Sequence, residues 1–264
     1  MSAFQNLQKA ASLRLSDDLV TALEQADIMQ QPNGLDWLKH NPRLVEALNY
    51  VAGTYAHRTR KFGNRLSLTH PLWVGYRSFH ARVVHQHGEC PVATAFIAIC
   101  HDAIEEARKQ VWRPQTQDIA TVIITDLSSI WADRKTFPSI QSDIHYLTDD
   151  NNINKKDQLQ AQIDKSFNKR GACIVGTRGQ VVRINDKTEH GVGDVKAHKA
   201  GLLPDSHVVP QLGKVCSRRF VTRMPCAKAN NNELRACSRS FNGKLIQGIL
   251  TNGGIHEAPI PERR

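Results

Sequence analysis

Helix-start signals followed by apolar residues at three-to-four spacing recur along the first 190 residues, and this recurrence most constrains the fold of the chain. From Ser16, the stretch SDDLVTALEQA offers a capping serine, two acids in the first turn and an apolar stripe. Residues 41–61 repeat the pattern, with Pro42 at a first helical position. Because amphipathic helices must bury their apolar faces against each other, we predict an all-α fold for this part of the chain.

Further helices are predicted along the same stretch of sequence. Thr69 or His70 is expected to cap a helix before Pro71, and residues 90–111 are expected to form one helix. The predicted inner face of that second helix carries Ala93, Ile97, Cys100 and Ile104. Two more helices are predicted over 114–133 and 155–170, while 179–186 fits either a short strand or a buried helix start.

The composition changes after His190, where Gly, Asn, Ser, Arg and Pro accumulate without sustained periodicity. We therefore predict an N-terminal helical extension over 1–40, a helical domain over 41–195 and an irregular basic C-terminal region over 196–264. The chain has 35 Lys and Arg against 25 Asp and Glu, a formal charge of +10. Such a charge favours phosphate-bearing partners, and the alternative is a solvated basic surface.

Cysteine spacing and the N-terminus bear on the compartment. The 6 cysteines show no CxxC spacing, and no long apolar stretch opens the chain. We therefore expect reduced thiols, a cytoplasmic protein and no membrane partner. The alternative is an organellar transit peptide, since the first 16 residues hold Lys9 and Arg14 but no acid.

The stretch AICHDAIEEA, residues 98–107, brings an imidazole and three carboxylates onto one side of a predicted helix. Beside the His101 imidazole, the carboxylates of Asp102, Glu105 and Glu106 would repel each other in a dry groove unless a cation or ligand compensated their charge. The alternative is an ordinary solvated face, on which the glutamates pair with the arginine and lysine that follow.

Two distant stretches supply further candidate ligands. His70, in LSLTHPLWV, lies at a loop-to-helix junction that fixes its direction, although a simple capping role also fits. Asp186 follows the apolar run of GQVVRIND, which would deliver its carboxylate to an interior site. Together with His101 and Asp102 they make a mixed nitrogen and oxygen set, which suits Mn²⁺, Fe²⁺ or Zn²⁺ better than Ca²⁺.

Three motifs in this order, AHRTRKFGNRLSLTHPLWV, HDAIEEA and VRINDKTEH, resemble those of the HD-domain phosphohydrolases. The likeness is closest to the hydrolase domain of the RelA/SpoT family and its small alarmone hydrolases, and it covers about residues 50–190. It departs from the family in four places: the separation of His70 and His101 is longer, Glu106 replaces an aspartate, Asn185 replaces an alanine, and His190 replaces an asparagine.

The resemblance implies a fold and an activity. The fold is an HD-domain helical bundle over 41–195. The activity is Mn²⁺-dependent hydrolysis of guanosine tetra- or pentaphosphate at the 3′ end, giving GDP or GTP and pyrophosphate. Arg60 and Lys61 match the family's basic pair and would bind the substrate, as would His190 from its position in the last motif. Without the resemblance, HRTRK fits an exposed helix end equally well.

Under this reading the two glutamates carry the proton transfers. A divalent ion supplies hydroxide at neutral pH by lowering the pKa of a bound water. Glu105 is the predicted group that orients or deprotonates that water, and Glu106 the predicted proton donor to the leaving side. Groups positioned in this way typically give rate factors of about 10²–10⁴.

Two alternatives compete with this function. The first is another HD-domain phosphohydrolase, such as a 5′-nucleotidase or a cyclic-nucleotide phosphodiesterase. The second is a catalytically weak binding protein that holds a nucleotide and attaches to nucleic acid through the basic tail. Aromatic residues make up only 6% of the chain and few fall in the tail, which disfavours nucleic acid as a partner.

Overall fold

The described part of the chain is helical. The computed structural model describes residues 3–31, 34–55, 57–60, 65–110, 118–148, 177–183, 185–186 and 189. Within these ranges no strand forms, and an isolated antiparallel bridge joins Thr59 to Leu66. The predicted all-α class is therefore confirmed for the described residues.

Ten helices follow one another among the described residues before 149. They are α1 (Ala3–Ala11), α2 (Asp17–Gln25), α3 (Asp36–Lys39), α4 (Pro42–Tyr55), α5 (Thr69–Phe79), α6 (Arg82–Gln86), α7 (Pro91–Cys100), α8 (Ala103–Arg108), α9 (Ile119–Trp131) and α10 (Phe137–Leu147). A 3₁₀ turn spans Ile28–Gln30, and residues 177–183 form a further helical segment. None of the described helices has the length and apolar character needed to cross a bilayer.

Several start signals act as predicted. Ser16 is the N-cap of α2, and its Oγ accepts a hydrogen bond from the Leu19 amide at 3.3 Å. Pro42 and Pro91 open α4 and α7, where a missing N–H costs nothing. For residues 179–183 the helix alternative is confirmed, and the strand alternative is wrong.

The predicted cap of α5 is wrong. The helix already begins at Thr69, with Leu68 as N-cap, so that His70 and Pro71 both lie within its first turn. The reason is that Thr69 Oγ1 donates to the Leu66 carbonyl at 2.8 Å instead of accepting from the first turn.

The single helix predicted over 90–111 is also wrong, because the chain turns between α7 and α8. His101 Nδ1 donates to the Ala98 carbonyl at 2.6 Å. In a continuous helix that carbonyl would accept from the Asp102 amide. The helix restarts at once, since the Glu106 amide donates to the Asp102 carbonyl at 2.9 Å.

Helix α7 runs through the centre of the core. Its side chains from Ala93 to Cys100 are all buried, including Ala93, Ile97 and Cys100 of the predicted inner face, whereas the fourth residue of that face, Ile104, is buried on α8. It packs against α5, α4 and α10, most extensively against α5. The contact with α5 is close because a Cβ at Gly75 would lie only 3.0 Å from Ile99 Cγ1.

All described residues belong to one unit, Met1–Glu189, and leucines of α1 and α2 pack into the same hydrophobic cluster as α4, α5 and α7. The predicted helix over 155–170 and the basic region over 196–264 lie outside the described residues. The proposed boundaries after residues 40 and 195 remain predictions.

Candidate metal centre

His101 is fixed at the end of α7 with one ring nitrogen directed inward. The residue is 1% exposed, and its Nδ1 donates to the Ala98 carbonyl. Because a carbonyl oxygen only accepts, Nδ1 carries the proton and a neutral ring keeps its lone pair on Nε2. That Nε2 is buried, lies 3.2 Å from Asp102 Oδ1 and makes no hydrogen bond with the described residues.

His70 reaches the same point from the first turn of α5. Its Nε2 lies 3.6 Å from Asp102 Oδ2, and its ring centroid is 5.3 Å from that of His101. One ligand atom from each of these three residues lies within 4.8 Å of the other two, a separation that one metal ion can span.

Asp186 completes the group from a third stretch of chain. It is 3% exposed, and its Oδ1 lies 3.4 Å from His70 Nε2 and 3.8 Å from His101 Nε2. The structure therefore brings together the four side chains that the sequence analysis predicted as ligands, although the last is separated from the others by more than eighty residues. Their role as metal ligands remains a prediction.

Arg183 anchors the segment that carries Asp186. Its side chain is almost fully buried, and its Nη2 donates to the Leu147 carbonyl at the end of α10 at 3.0 Å. Its guanidinium lies over the Tyr146 ring at 5.7 Å, and its Nη1 is 3.8 Å from Asp186 Oδ2. The arginine thus ties the aspartate to α10 and supplies a positive charge on the side away from the imidazoles.

The electrostatics of the cluster favour a positive charge between its carboxylates. Burial opposes a charge on His101, but Asp102 and Asp186 raise the pKa of His101 well above its ordinary value. Burial likewise opposes a charge on Asp102, yet His101 and His70 hold the pKa of that carboxyl well below its usual range. A divalent cation bound between the same groups would also compensate the negative charge of these buried carboxylates.

The two glutamates follow on α8 and are half-buried. Glu106 Oε2 accepts from Arg58 Nη1 at 2.7 Å, and Glu106 also pairs with Lys109. The lysine pairing considered for an ordinary solvated face therefore does occur. The arginine contact is different, because it joins α8 to the loop that precedes α5.

The predicted substrate-binding residues are only partly described. Arg60 Nη1 lies 3.1 Å from Glu189 Oε1, so this arginine is paired across to the last motif. Lys61 and His190 lie outside the described residues. Asn185, which departs from the resemblance, donates to Ser78 Oγ at 3.0 Å and so holds the last motif against α5.

Comparisons with protein-family models, with curated proteins and with solved structures found no match for this chain. The case for a metal centre therefore comes from the donor set itself. Two imidazoles and two carboxylates, three of the four residues at least nine-tenths buried, fit a transition-metal ion with room for water ligands. The buried Nε2 of His101 fits such an ion directly, because it has no hydrogen bond within the described residues.

The sequence analysis missed three supporting residues. Arg183 precedes Asp186 by three positions, a helical spacing that would have indicated a contact. Glu189 lies next to His190, and only the fold shows that it meets Arg60. Tyr55 is the third: it is buried at the end of α4, and no sequence signal distinguishes such a ring from an ordinary packed one.

Proposed function

We propose that His70, His101, Asp102 and Asp186 form the divalent-metal centre of an HD-type phosphohydrolase acting on guanosine 3′,5′-bis(diphosphate). One observation carries the proposal: three stretches of chain, far apart in sequence, deliver these side chains to one point, with ligand atoms 3.2–3.8 Å apart. Support also comes from the helical surroundings, which are what the resemblance to HD-domain proteins implies.

The proposed reaction is hydrolysis at the 3′ end. When bound, a divalent ion such as Mn²⁺ supplies a water of lowered pKa and neutralises charge on a phosphoryl oxygen. The hydroxyl of the water adds to the phosphorus that is attached to the 3′ oxygen. The bond between this phosphorus and the 3′ oxygen then breaks. The 3′ oxygen receives a proton, which leaves GDP, or GTP from the pentaphosphate, together with pyrophosphate.

The glutamates of α8 divide the proton transfers. Glu105 accepts the proton of the attacking water, and Glu106 is the donor to the 3′ oxygen. Because Arg58 and Lys109 contact Glu106, their positive charges also fix the direction of its carboxylate. Proton delivery from Glu106 requires that it release these contacts and first take up a proton, and the cycle closes when this is the proton that Glu105 removed from the water.

Substrate phosphates are bound by basic residues of the first and last motifs. Arg60 offers a planar guanidinium suited to two phosphate oxygens, and Lys61 and His190 complete the set proposed from the resemblance. In the structure Arg60 forms an ion pair with the carboxylate of Glu189, so a bound phosphate would have to displace that carboxylate.

A second candidate is an HD phosphohydrolase for a different nucleotide. The observation that favours it is the Arg60–Glu189 pair, because an arginine already engaged is less available to a 3′-diphosphate. The metal centre is common to both candidates, and they differ only in substrate.

The test combines metal binding with product analysis. Calorimetric titration with Mn²⁺ is expected to show one site in the wild-type chain and none in His101→Ala or Asp186→Asn. Hydrolysis of guanosine tetraphosphate is expected to release pyrophosphate, and to fall by at least about 10³-fold in both variants because the metal is lost. His85→Ala, an exposed histidine on α6, is the matched control and should retain both properties.

Three results would decide against the proposal or part of it. Full turnover by His101→Ala and Asp186→Asn would reject the metal centre. Release of inorganic phosphate from a mononucleotide, with none of the tetraphosphate consumed, would select the second candidate. Retention on RNA with a steep salt dependence, and no hydrolysis of either nucleotide, would favour a binding protein.

A further inference from the structure

The hydroxyl of Tyr55 is buried without a hydrogen-bond partner among the described residues. Tyr55 is the last residue of α4 and is 4% exposed. Tyr50, on the same helix, shows the usual arrangement, since its hydroxyl donates to Asp126 Oδ2 at 2.7 Å. A buried hydroxyl that gives up water without a replacement partner is destabilising and calls for an explanation.

The end of α4 lies against the end of α8. Gln110, just past α8, donates from Nε2 to the Gly53 carbonyl at 3.1 Å and also to the Thr54 carbonyl. A few residues further along, Arg58 reaches Glu106 at 2.7 Å. Tyr55 therefore sits where α4 faces the helix that carries both predicted catalytic glutamates.

The electrostatic surroundings keep this hydroxyl protonated. Burial is the largest cause that raises the pKa of Tyr55 well above its ordinary value, and the carboxylates of Asp102, Glu106 and Glu105 raise it further. Asp102, a predicted metal ligand, is one of these carboxylates. A phenol in this setting acts as a neutral hydrogen-bond donor at physiological pH.

We propose that the Tyr55 hydroxyl donates a hydrogen bond to a phosphoryl oxygen of the bound phosphate ester, an inference that rests on the proposed function. It would be a catalytic residue in addition to the two glutamates. Arg58 and Arg60, which follow Tyr55 closely in the chain, are already paired with Glu106 and Glu189, whereas this donor is uncommitted within the described residues. A fixed neutral donor strengthens as negative charge develops on the oxygen that it contacts.

The Tyr55 hydroxyl, like the candidate metal centre, is enclosed by protein atoms. The Tyr55 oxygen and His101 Nε2 are both enclosed buried atoms in the structure. A substrate that reaches either atom must therefore open a path to it.

The test uses Tyr55→Phe in the full chain, with Tyr50→Phe as the matched control. Tyr55→Phe removes an unpartnered hydroxyl, so its melting temperature should equal or exceed that of the wild type, and its Mn²⁺ affinity should stay within twofold. Its affinity for pyrophosphate in the presence of Mn²⁺ is expected to fall by at least about fivefold. Its kcat/KM on guanosine tetraphosphate is expected to fall by about 10–100-fold. Tyr50→Phe breaks a hydrogen bond, and should lower the melting temperature while leaving pyrophosphate affinity and turnover unchanged.

The two readouts separate this inference from the function on which it rests. Equal pyrophosphate affinity and equal kcat/KM in wild type and Tyr55→Phe would overturn the inference while leaving the hydrolase intact. A lower melting temperature with unchanged pyrophosphate affinity would overturn it as well, because the hydroxyl would then be structural. If the wild-type chain hydrolyses no tetraphosphate, but Tyr55→Phe still loses pyrophosphate affinity, the reaction is wrong and the inference holds.

Discussion

At the scale of single residues, Asp143 on α10 is a buried carboxyl whose charge is only partly compensated. Burial is the main cause that raises its pKa, to about 6. Arg178 offsets part of the effect through a contact of 3.1 Å between its Nη2 and Asp143 Oδ2. Glu89, which also contacts Arg178, adds to the rise. The residue therefore titrates within an experimentally convenient range.

This titration predicts that the free energy of unfolding falls as the pH rises. The pKa of Asp143 is 3.8 in the unfolded chain and about 6 in the folded one, so the folded chain binds more protons between these values. The contribution is fully present below about pH 4 and is lost as the pH rises through about 6. It amounts to at most roughly 3 kcal/mol.

Denaturant unfolding of wild type and Asp143→Asn at intervals from pH 4 to 7 measures this contribution. The variant should show a flatter dependence of unfolding free energy on pH, because asparagine does not titrate. Asp36→Asn, at an exposed site on α3, should keep the wild-type profile in shape. An Asp143→Asn profile as steep as that of the wild type would contradict the assignment.

The clustering of the four predicted ligands was accessible to sequence reasoning, whereas most contacts of the supporting residues were not. His101 and Asp102 are adjacent, and each remaining ligand follows a recognisable local cue, a His-Pro pair or an apolar run. The position of Tyr55 beside α8 and the contact of Arg183 with the end of α10 depend on which helix ends meet in space, and a periodic pattern holds no such information. The carbonyl of Ala98 gives no sequence signal, because every residue has one.

At the scale of elements, the contact between α5 and α7 determines where His70 and His101 lie relative to each other. The two helices approach closely at Gly75, where a Cβ would lie 3.0 Å from Ile99 Cγ1 and 3.2 Å from Trp37 Cη2. Gly53 on α4 is different, since nothing lies within 4 Å of the position that a Cβ would occupy.

These two glycines predict opposite effects of one substitution. Gly75→Ala overpacks the interface and should lower the free energy of unfolding by about 1–3 kcal/mol. Gly53→Ala should raise it by about 0.5–1 kcal/mol, because alanine favours a helix more than glycine does. Urea unfolding measures both, and a stabilised Gly75→Ala would show that α5 and α7 separate without cost.

The turn between α7 and α8 was beyond the reach of periodicity. The apolar residues at positions 97, 100 and 104 keep a helical spacing across it and are all buried, so the pattern predicted a single helix. The interruption arises from a side chain, His101, that competes for a backbone acceptor. Only the position of the ring, set by the surrounding helices, decides that competition.

At the scale of the whole molecule, a bound ion should stabilise the fold, because ligands from α5, from the α7–α8 turn and from residue 186 meet only when the chain is folded. An Mn²⁺ concentration one hundred times the dissociation constant should add about 2.7 kcal/mol to the free energy of unfolding. For a chain of this size that corresponds to a rise in melting temperature of about 5–10 °C.

Differential scanning calorimetry with Mn²⁺, and then with excess chelator, measures this effect. The rise in melting temperature should reverse on chelation and be missing in His101→Ala. An equal rise in that variant would mean that the ion binds elsewhere, for example at surface carboxylates.

The all-α class followed from repeated helix-start signals, because capping residues and apolar spacing are local features of the sequence. The arrangement of those helices did not follow, because packing depends on contacts between residues far apart in the chain. The hydrogen bond between Ser16 and Leu19 is local, for example, whereas the ion pair between Arg60 and Glu189 joins residues that are separated by most of the described chain.

Helix α7 is apolar on every side and carries two of the four predicted ligands immediately past its last turn. A synthetic peptide of residues 91–108 would therefore aggregate in water before it could chelate an ion. A design that grafts this centre onto a smaller scaffold must therefore include the helices that pack around α7. The smallest such graft comprises a substantial fraction of the bundle.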